Sequence, residues 1–182
     1  MKSIDDVVGF IERQPELMRV LELVEALSLP DCWIGAGFVR NAVWDALHGR
    51  PAEGGNDVDV AYFDPANASG ANDAALEARL RATDPRTVWD VKNQARMHVR
   101  NGDAPYLDTE DAVACWPETA TAVAVRRQFG RTELIAPHGI DDLIGVVARP
   151  TPAFRTRPEV VMRRVCGRRW QSRWPQLRVL ER

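Results

Sequence analysis

The stretch Asp57-Val58-Asp59-Val60-Ala61-Tyr62-Phe63 alternates with the period of a β-strand, which places Val58, Val60 and Tyr62 on one face and Asp57, Asp59 and Ala61 on the other. Both carboxylates therefore point the same way. Their oxygens are hard ligands, and two on one strand face suit one or two Mg²⁺ ions, with Mn²⁺ as the other candidate. An Asp-x-Asp alone is more often a surface charge or a turn former, so its meaning depends on what surrounds it.

What precedes it is a strand running into a small-residue turn. Cys32-Trp33-Ile34 is short and apolar enough for a buried strand, and Gly35-Ala36-Gly37 follows at once. A helix from near Val39 would turn Val39, Val43, Trp44 and Leu47 to the core. Small residues let a phosphate approach the backbone, and the exposed N–H groups and positive end of the helix favour its charge. Arg40 adds a guanidinium. A tight turn with Arg40 exposed would account for the same residues, but the carboxylate strand that begins twenty residues after Gly37 favours a site.

Downstream, Thr87 to Lys92 alternates again, with Val88, Asp90 and Lys92 opposite Thr87, Trp89 and Val91. Asp90 is expected to stand alone among hydrophobes. Burying an unpaired carboxylate is costly, so either a bound cation or an ion pair with Lys92 or Arg96 must account for it.

The stretches Ile34-Gly35-Ala36-Gly37-Phe38-Val39-Arg40-Asn41 and Asn56-Asp57-Val58-Asp59-Val60 resemble the signature of the polymerase-beta-like nucleotidyltransferase superfamily. More closely, Trp44-Asp45-Ala46-Leu47-His48-Gly49, Val91-Lys92-Asn93-Gln94-Ala95-Arg96-Met97-His98, Trp116-Pro117-Glu118-Thr119-Ala120 and His138-Gly139-Ile140-Asp141-Asp142-Leu143 resemble a family of small bacterial nucleotidyltransferase-like proteins, over roughly the chain from Trp33 onward. The resemblance implies an α/β (α+β) fold, a small mixed or antiparallel sheet with helices on one side. It implies phosphate contact at Ala36 and Gly37, metal binding at Asp57 and Asp59, and a third acid at Asp90. Ala36 is a mild departure from the superfamily pattern, because alanine is small, although it denies the backbone some of glycine's range. The implied reaction is metal-dependent transfer of a nucleoside monophosphate from a nucleoside triphosphate to a hydroxyl. The acceptor stays open between a small molecule, RNA and protein.

Within that implied site, Asp57, Asp59 and Asp90 are expected to act as metal ligands and catalytic groups. Asp90 would contact an acceptor-side cation or take the proton of the attacking hydroxyl. Arg40, Lys92 and Arg96 are candidates for phosphate or the leaving pyrophosphate. Asn93 and Gln94 offer amide hydrogen bonds to a base or ribose, or else cap the helix carrying Arg96. His48, His98 and His138 lack metal-site spacing and are assigned ordinary structural hydrogen bonds.

A chain of 182 residues supports one substantial core, so residues 1–182 are read as a single domain. It includes a helical packing segment at 1–30, where Ser3 caps one helix and Pro15 opens another. With 45% apolar and 27% charged residues, no membrane-length apolar run and no export-type opening, a cytoplasmic location away from membranes is expected. Cys32, Cys115 and Cys166 are too scattered for a disulfide framework or a paired-cysteine zinc site. Oligomeric state is open, because apolar helix faces suit an interface as well as a core.

The net charge of -2 conceals a division: residues 149–182 carry ten Arg against two Glu, and the remainder is correspondingly acidic. An acidic, metal-binding body with a basic segment fits a polyanionic substrate. Among the six tryptophans, Trp33, Trp44 and Trp89 are expected in the core, while Trp170 and Trp174, set among Arg168, Arg169 and Arg173, offer stacking for nucleic acid. Two functions follow: the metal-dependent transferase, and a nucleotide- or nucleic-acid-binding protein in which catalysis has weakened.

Overall fold

A computed structural model of the chain describes residues 1–52 and 57–180. Residues 53–56, where Gly54-Gly55-Asn56 reads from sequence as a loop, and the last two residues of the basic segment lie outside them. Two amphipathic helices open the chain. The Ser3 hydroxyl accepts from the Asp6 amide and caps α1 (Ile4–Glu12), which buries Val7 and Ile11 and leaves Ile4 exposed. Pro15 begins α2 (Pro15–Glu25), whose Leu17, Val20, Leu21 and Val24 are buried.

Next, β1 (Trp33–Gly35) passes through Ala36 into α3 (Gly37–Leu47). Strand β2 (Asp57–Tyr62), helix α4 (Gly70–Thr83) and strand β3 (Val88–Asn93) form a crossover unit, which lets β2 and β3 pair in parallel. Helices α5 (Gln94–Asn101) and α6 (Thr109–Ala114) precede the hairpin of β4 (Ala124–Gln128) and β5 (Arg131–Ile135). The sheet runs β3-β2-β1-β4-β5, antiparallel at every join except β2 to β3. The mixed sheet with helices is therefore present as the sequence implied. After it come α7 (Asp141–Ile144), β6 (Val147–Ala148), α8 (Pro158–Gly167), α9 (Trp170–Arg173) and β7 (Arg178–Val179). Helix α7 stops at Ile144, and Val147 and Ala148 pair with Arg178 and Val179.

Alternation in β2 is kept: Val58, Val60 and Tyr62 are buried under the helices, while Asp57 is exposed and Asp59 half-buried. In β3 the apolar face is Trp89 and Val91, and Asp90 shares the open face with exposed Val88 and half-buried Lys92. Asp90 is thus not an acid embedded among hydrophobes. It looks out on the same side as Asp59, its register partner.

Trp33, Trp44 and Trp89 are core residues as expected. Trp170 and Trp174 are not a stacking platform. They are 3% and 1% exposed and pack edge-on against Trp44, with ring centroids 5.9 and 5.0 Å away. Each indole has a large apolar area to remove from water, and this outweighs the polarity of the arginines around it. One of those arginines is itself held inward, Arg173 Nη2 lying 2.6 Å from Asp45 Oδ2. Among the described residues no helix is long and apolar enough to cross a membrane.

Candidate nucleotide and metal site

The turn between β1 and α3 owes its shape to three small residues used in different ways. A Cβ added to Gly35 would lie 2.4 Å from Cη2 of Trp116, whose ring rests on that glycine. Gly35 therefore admits an indole. Ala36 has φ 53° and ψ -119°, a region that L side chains rarely adopt, immediately before the first residue of α3. Gly37 begins the helix, with room for a Cβ only 3.3 Å from Asn41 Nδ2. The turn exposes the amino end of an eleven-residue helix, where the helix dipole favours an anion.

Ala36 and Gly37 lie on the wall of a cleft of about 520 Å³, along with Arg40, Asp59, Asp90 and Lys92. Strands β2 and β3 supply its acids. Asp59 and Asp90 are register partners, and burial together with the charges of Asp57 and Asp90 pushes the Asp59 carboxyl up to about 6. Neither the Asp57 nor the Asp59 side chain has a hydrogen bond or ion pair with another described residue, whereas Asp90 accepts from Lys92, which also bonds Glu77 Oε1 at 3.1 Å. As the side chains stand, no three His, Cys, Asp or Glu among the described residues form a group that could hold a metal ion. The donors nevertheless fit Mg²⁺ or Mn²⁺: such ions are commonly held by one or two carboxylates together with substrate phosphates, and Asp57 and Asp59 are two acids with no protein cation on them.

Helices and their flanks supply the guanidinium groups of the same cleft, and β3 supplies Lys92. Arg40 in α3 is 2% exposed, donates through Nη1 to Thr121 Oγ1 and through Nη2 to Asn41 Oδ1, both at 2.8 Å, and leaves Nε without a partner. Its guanidinium lies 4.0 Å from the Trp170 ring centroid and has no carboxylate partner among the described residues. Burial pushes it down to about 9, Glu118 opposing that shift and Arg164 and Arg168 adding to it. One stripe of α8 and its flanks, Arg157, Val160, Arg164 and Arg168, reaches the cleft, and Val161 and Val165 face the core.

The expected site residues therefore divide. Arg40, Asp59, Asp90 and Lys92 meet at the cleft, whereas Asp57, exposed two residues before Asp59 on β2, is not among its lining residues. Asn93 and Arg96 do not line it. Asn93 is fully buried, caps α5 through the Ala95 amide and bonds Asp64, and Arg96 pairs with the buried Asp73. Gln94, expected to offer amide hydrogen bonds, and Arg168, expected in a nucleic-acid surface, line the cleft, and so do Trp116, Phe154, Arg157 and Arg164, which had not been singled out. For the arginines a signal existed, since 157, 160, 164 and 168 recur at helical spacing beside the apolar pair 161 and 165. His48 and His138 make main-chain contacts, to Trp44 O at 2.7 Å and Ala114 O at 2.8 Å. A second hollow of about 360 Å³, between α2 and β4, holds none of the three acids.

Residues 22–179 match the family model described as nucleotidyltransferase. A solved NMR structure described as revealing a CCA-adding enzyme head domain is 33% identical, covering 99% of this chain and 97% of that one, with a TM-score of 0.87. The CCA-adding enzyme of Thermotoga maritima complexed with tRNA is 16% identical with a TM-score of 0.58. A CCA-adding enzyme in complex with CTP is also 16% identical, with a TM-score of 0.60. The chain covers 42% and 43% of these two larger proteins, and the likeness to them is one of fold. No curated protein matches. The resemblance read from the motifs is thus narrowed from a general bacterial group to the head domain of CCA-adding enzymes. With its glycine turn, carboxylate strand and family match in one frame, the chain belongs to the nucleotidyltransferase family.

Proposed function

We propose that the protein is a metal-dependent nucleotidyltransferase that moves a nucleoside monophosphate from a nucleoside triphosphate to a hydroxyl acceptor. One observation carries the reading: a single cleft brings together Asp59, which has no ion-pair partner among the described residues, and the buried Arg40, which has no carboxylate partner among them. A polyphosphate carrying a divalent cation answers both imbalances. Asp57 and Asp59 would hold the cation, which when bound neutralises charge during in-line displacement at phosphorus. Arg40, Lys92 and the amino end of α3 bind the polyphosphate. The acceptor oxygen forms a bond to the α-phosphorus as the bond to the bridging oxygen breaks, pyrophosphate leaves with that electron pair, and the hydroxyl proton passes to an Asp90 carboxylate oxygen.

A second reading, a nucleotide-binding protein with weak catalysis, is favoured by the bond from Lys92 to Asp90, which occupies the proposed proton acceptor. Incubating purified protein with each labelled nucleoside triphosphate and Mg²⁺ or Mn²⁺ separates the two. RNA is the first acceptor to try, given the relative solved with tRNA, followed by small molecules and proteins from a cell extract. Label covalently transferred supports the transferase. Nucleotide bound but never transferred to any acceptor pool supports the binder.

A further inference from the structure

Glu118 has 0% exposure, and its carboxylate is used by halves. Oε1 accepts from Arg164 Nε at 2.6 Å, while Oε2 is buried without a partner. A carboxylate and an arginine placed together only for stability tend towards the two-pronged arrangement, which satisfies both oxygens. Here contact runs through Nε alone, so the two terminal nitrogens of Arg164 carry no hydrogen bond to a described residue, and the side chain is 30% exposed on the cleft wall. The same short turn holds the other cation. The main-chain oxygen of Glu118 accepts from Thr121 N at 2.9 Å, and Thr121 Oγ1 accepts from Arg40 Nη1. One turn between α6 and β4 thus fixes an arginine of α3 with a hydroxyl and an arginine of α8 with a carboxylate.

We propose that Glu118 is a positioning residue that holds Arg164 by its Nε, so that the terminal nitrogens of Arg164, with Arg40 and Arg168, form a subsite for pyrophosphate. The inference rests on the nucleotidyltransferase reading and assigns the far end of the nucleotide to the helices instead of the strands. It also makes inorganic pyrophosphate a ligand in its own right, held without a divalent ion. Arg40 alone would be a poor receptor for a chain of anionic oxygens, since two of its nitrogens are already engaged by Thr121 and Asn41. Arg164 supplies the two that are not.

The test is calorimetric titration of inorganic pyrophosphate, with EDTA present, into the parent protein and its Arg164→Ala, Arg164→Lys, Glu118→Ala and Glu118→Gln variants, each corrected for folded fraction. Arg164→Ala should weaken binding about tenfold or more, the scale of one charge-assisted contact. Arg164→Lys should weaken it nearly as much, because lysine keeps the charge but has no Nε by which to be held. Glu118→Ala should follow Arg164→Lys, while Glu118→Gln, which retains an acceptor oxygen, should stay near the parent. Parent-like binding by Arg164→Ala overturns the subsite, and parent-like binding by Arg164→Lys or Glu118→Ala overturns the positioning role. If Glu118→Ala does not fold, Arg164→Lys still decides. Pyrophosphate binding with these dependences but no label transfer would remove the transferase reading alone. Transfer with pyrophosphate binding indifferent to Arg164 would remove this inference alone.

Discussion

Asp59 and Asp90 are register partners on the parallel strands β2 and β3, so two acids far apart in sequence face one cleft. Their surroundings differ. Asp59 has no protein cation bonded to it and is open to a metal ion, whereas Asp90 is held by Lys92 and must part from it before it can take a proton in the proposed reaction.

Asp90→Asn should therefore leave nucleoside triphosphate binding close to the parent and reduce transfer by roughly a hundredfold or more, the scale of a lost positioned proton acceptor. Single-turnover transfer at saturating nucleotide, per folded molecule, checks it. If Asp90 serves only to anchor Lys92 and, through it, Glu77, the substitution lowers stability and spares that rate.

Ala36 offers a test of the turn itself. With φ at 53° it pays a conformational cost that glycine does not, and strain of this kind is on the order of 1–3 kcal/mol. Glycine returns about 0.5–1 kcal/mol of that as lost chain entropy, so Ala36→Gly should raise stability by about 1 kcal/mol. A higher urea midpoint with unchanged slope is the expected result.

Gly35 should behave in the opposite way. An alanine Cβ there meets Trp116 at 2.4 Å, so Gly35→Ala should push the indole off the strand and cost about 1–3 kcal/mol as overpacking. Near-ultraviolet circular dichroism would report the moved tryptophan, and denaturation the loss.

Asp84 makes a prediction about acid. It is 3% exposed and takes hydrogen bonds from Thr87 Oγ1 at 2.7 Å, Arg19 Nη1 at 2.9 Å and the Arg86 amide, which hold its carboxyl well below the usual range despite burial. A depressed folded-state value gives stability that is fully present above the unfolded value of about 3.9 and is lost as pH falls through the folded one. Asp84→Asn lacks this increment, so the unfolding midpoints of parent and variant should converge as pH drops below about 4. A gap that stays constant down to pH 2 would show that the carboxylate's charge is not what matters.

Much of the sheet was legible because alternation and small-residue turns are local signals. The period of 57–63 placed both aspartates on one face, and the strand, turn and helix of 32–47 were read almost to their ends. Asp90 was located on the right strand, and its pairing with Lys92 was one of the alternatives, but it was expected among hydrophobes and stands on the open face. Which face of β3 is covered depends on α4 and the neighbouring strand, and neither is written in residues 87–92. The C-terminal segment was the hardest to read. Trp170 and Trp174 sit among arginines, and only the arrival of Trp44 from another helix explains why they turn inward. The role of Arg164 was hidden for a similar reason, since its partner Glu118 lies 46 residues away in a turn with no periodicity.

In the proposed reaction Asp57 and Asp59 hold a divalent ion against a bound triphosphate. The most direct test is calorimetric titration of Mn²⁺ into protein saturated with a non-hydrolysable nucleoside triphosphate analogue, for the parent and for Asp57→Asn and Asp59→Asn. Both variants should remain folded and still bind the analogue, since its phosphates are taken by Arg40, Lys92 and the α3 turn. Their Mn²⁺ affinity should fall at least about tenfold, the lower end of what is lost when groups one step further from a metal are removed. Mn²⁺ affinity equal to the parent's in both variants would show that these two carboxylates do not hold the ion.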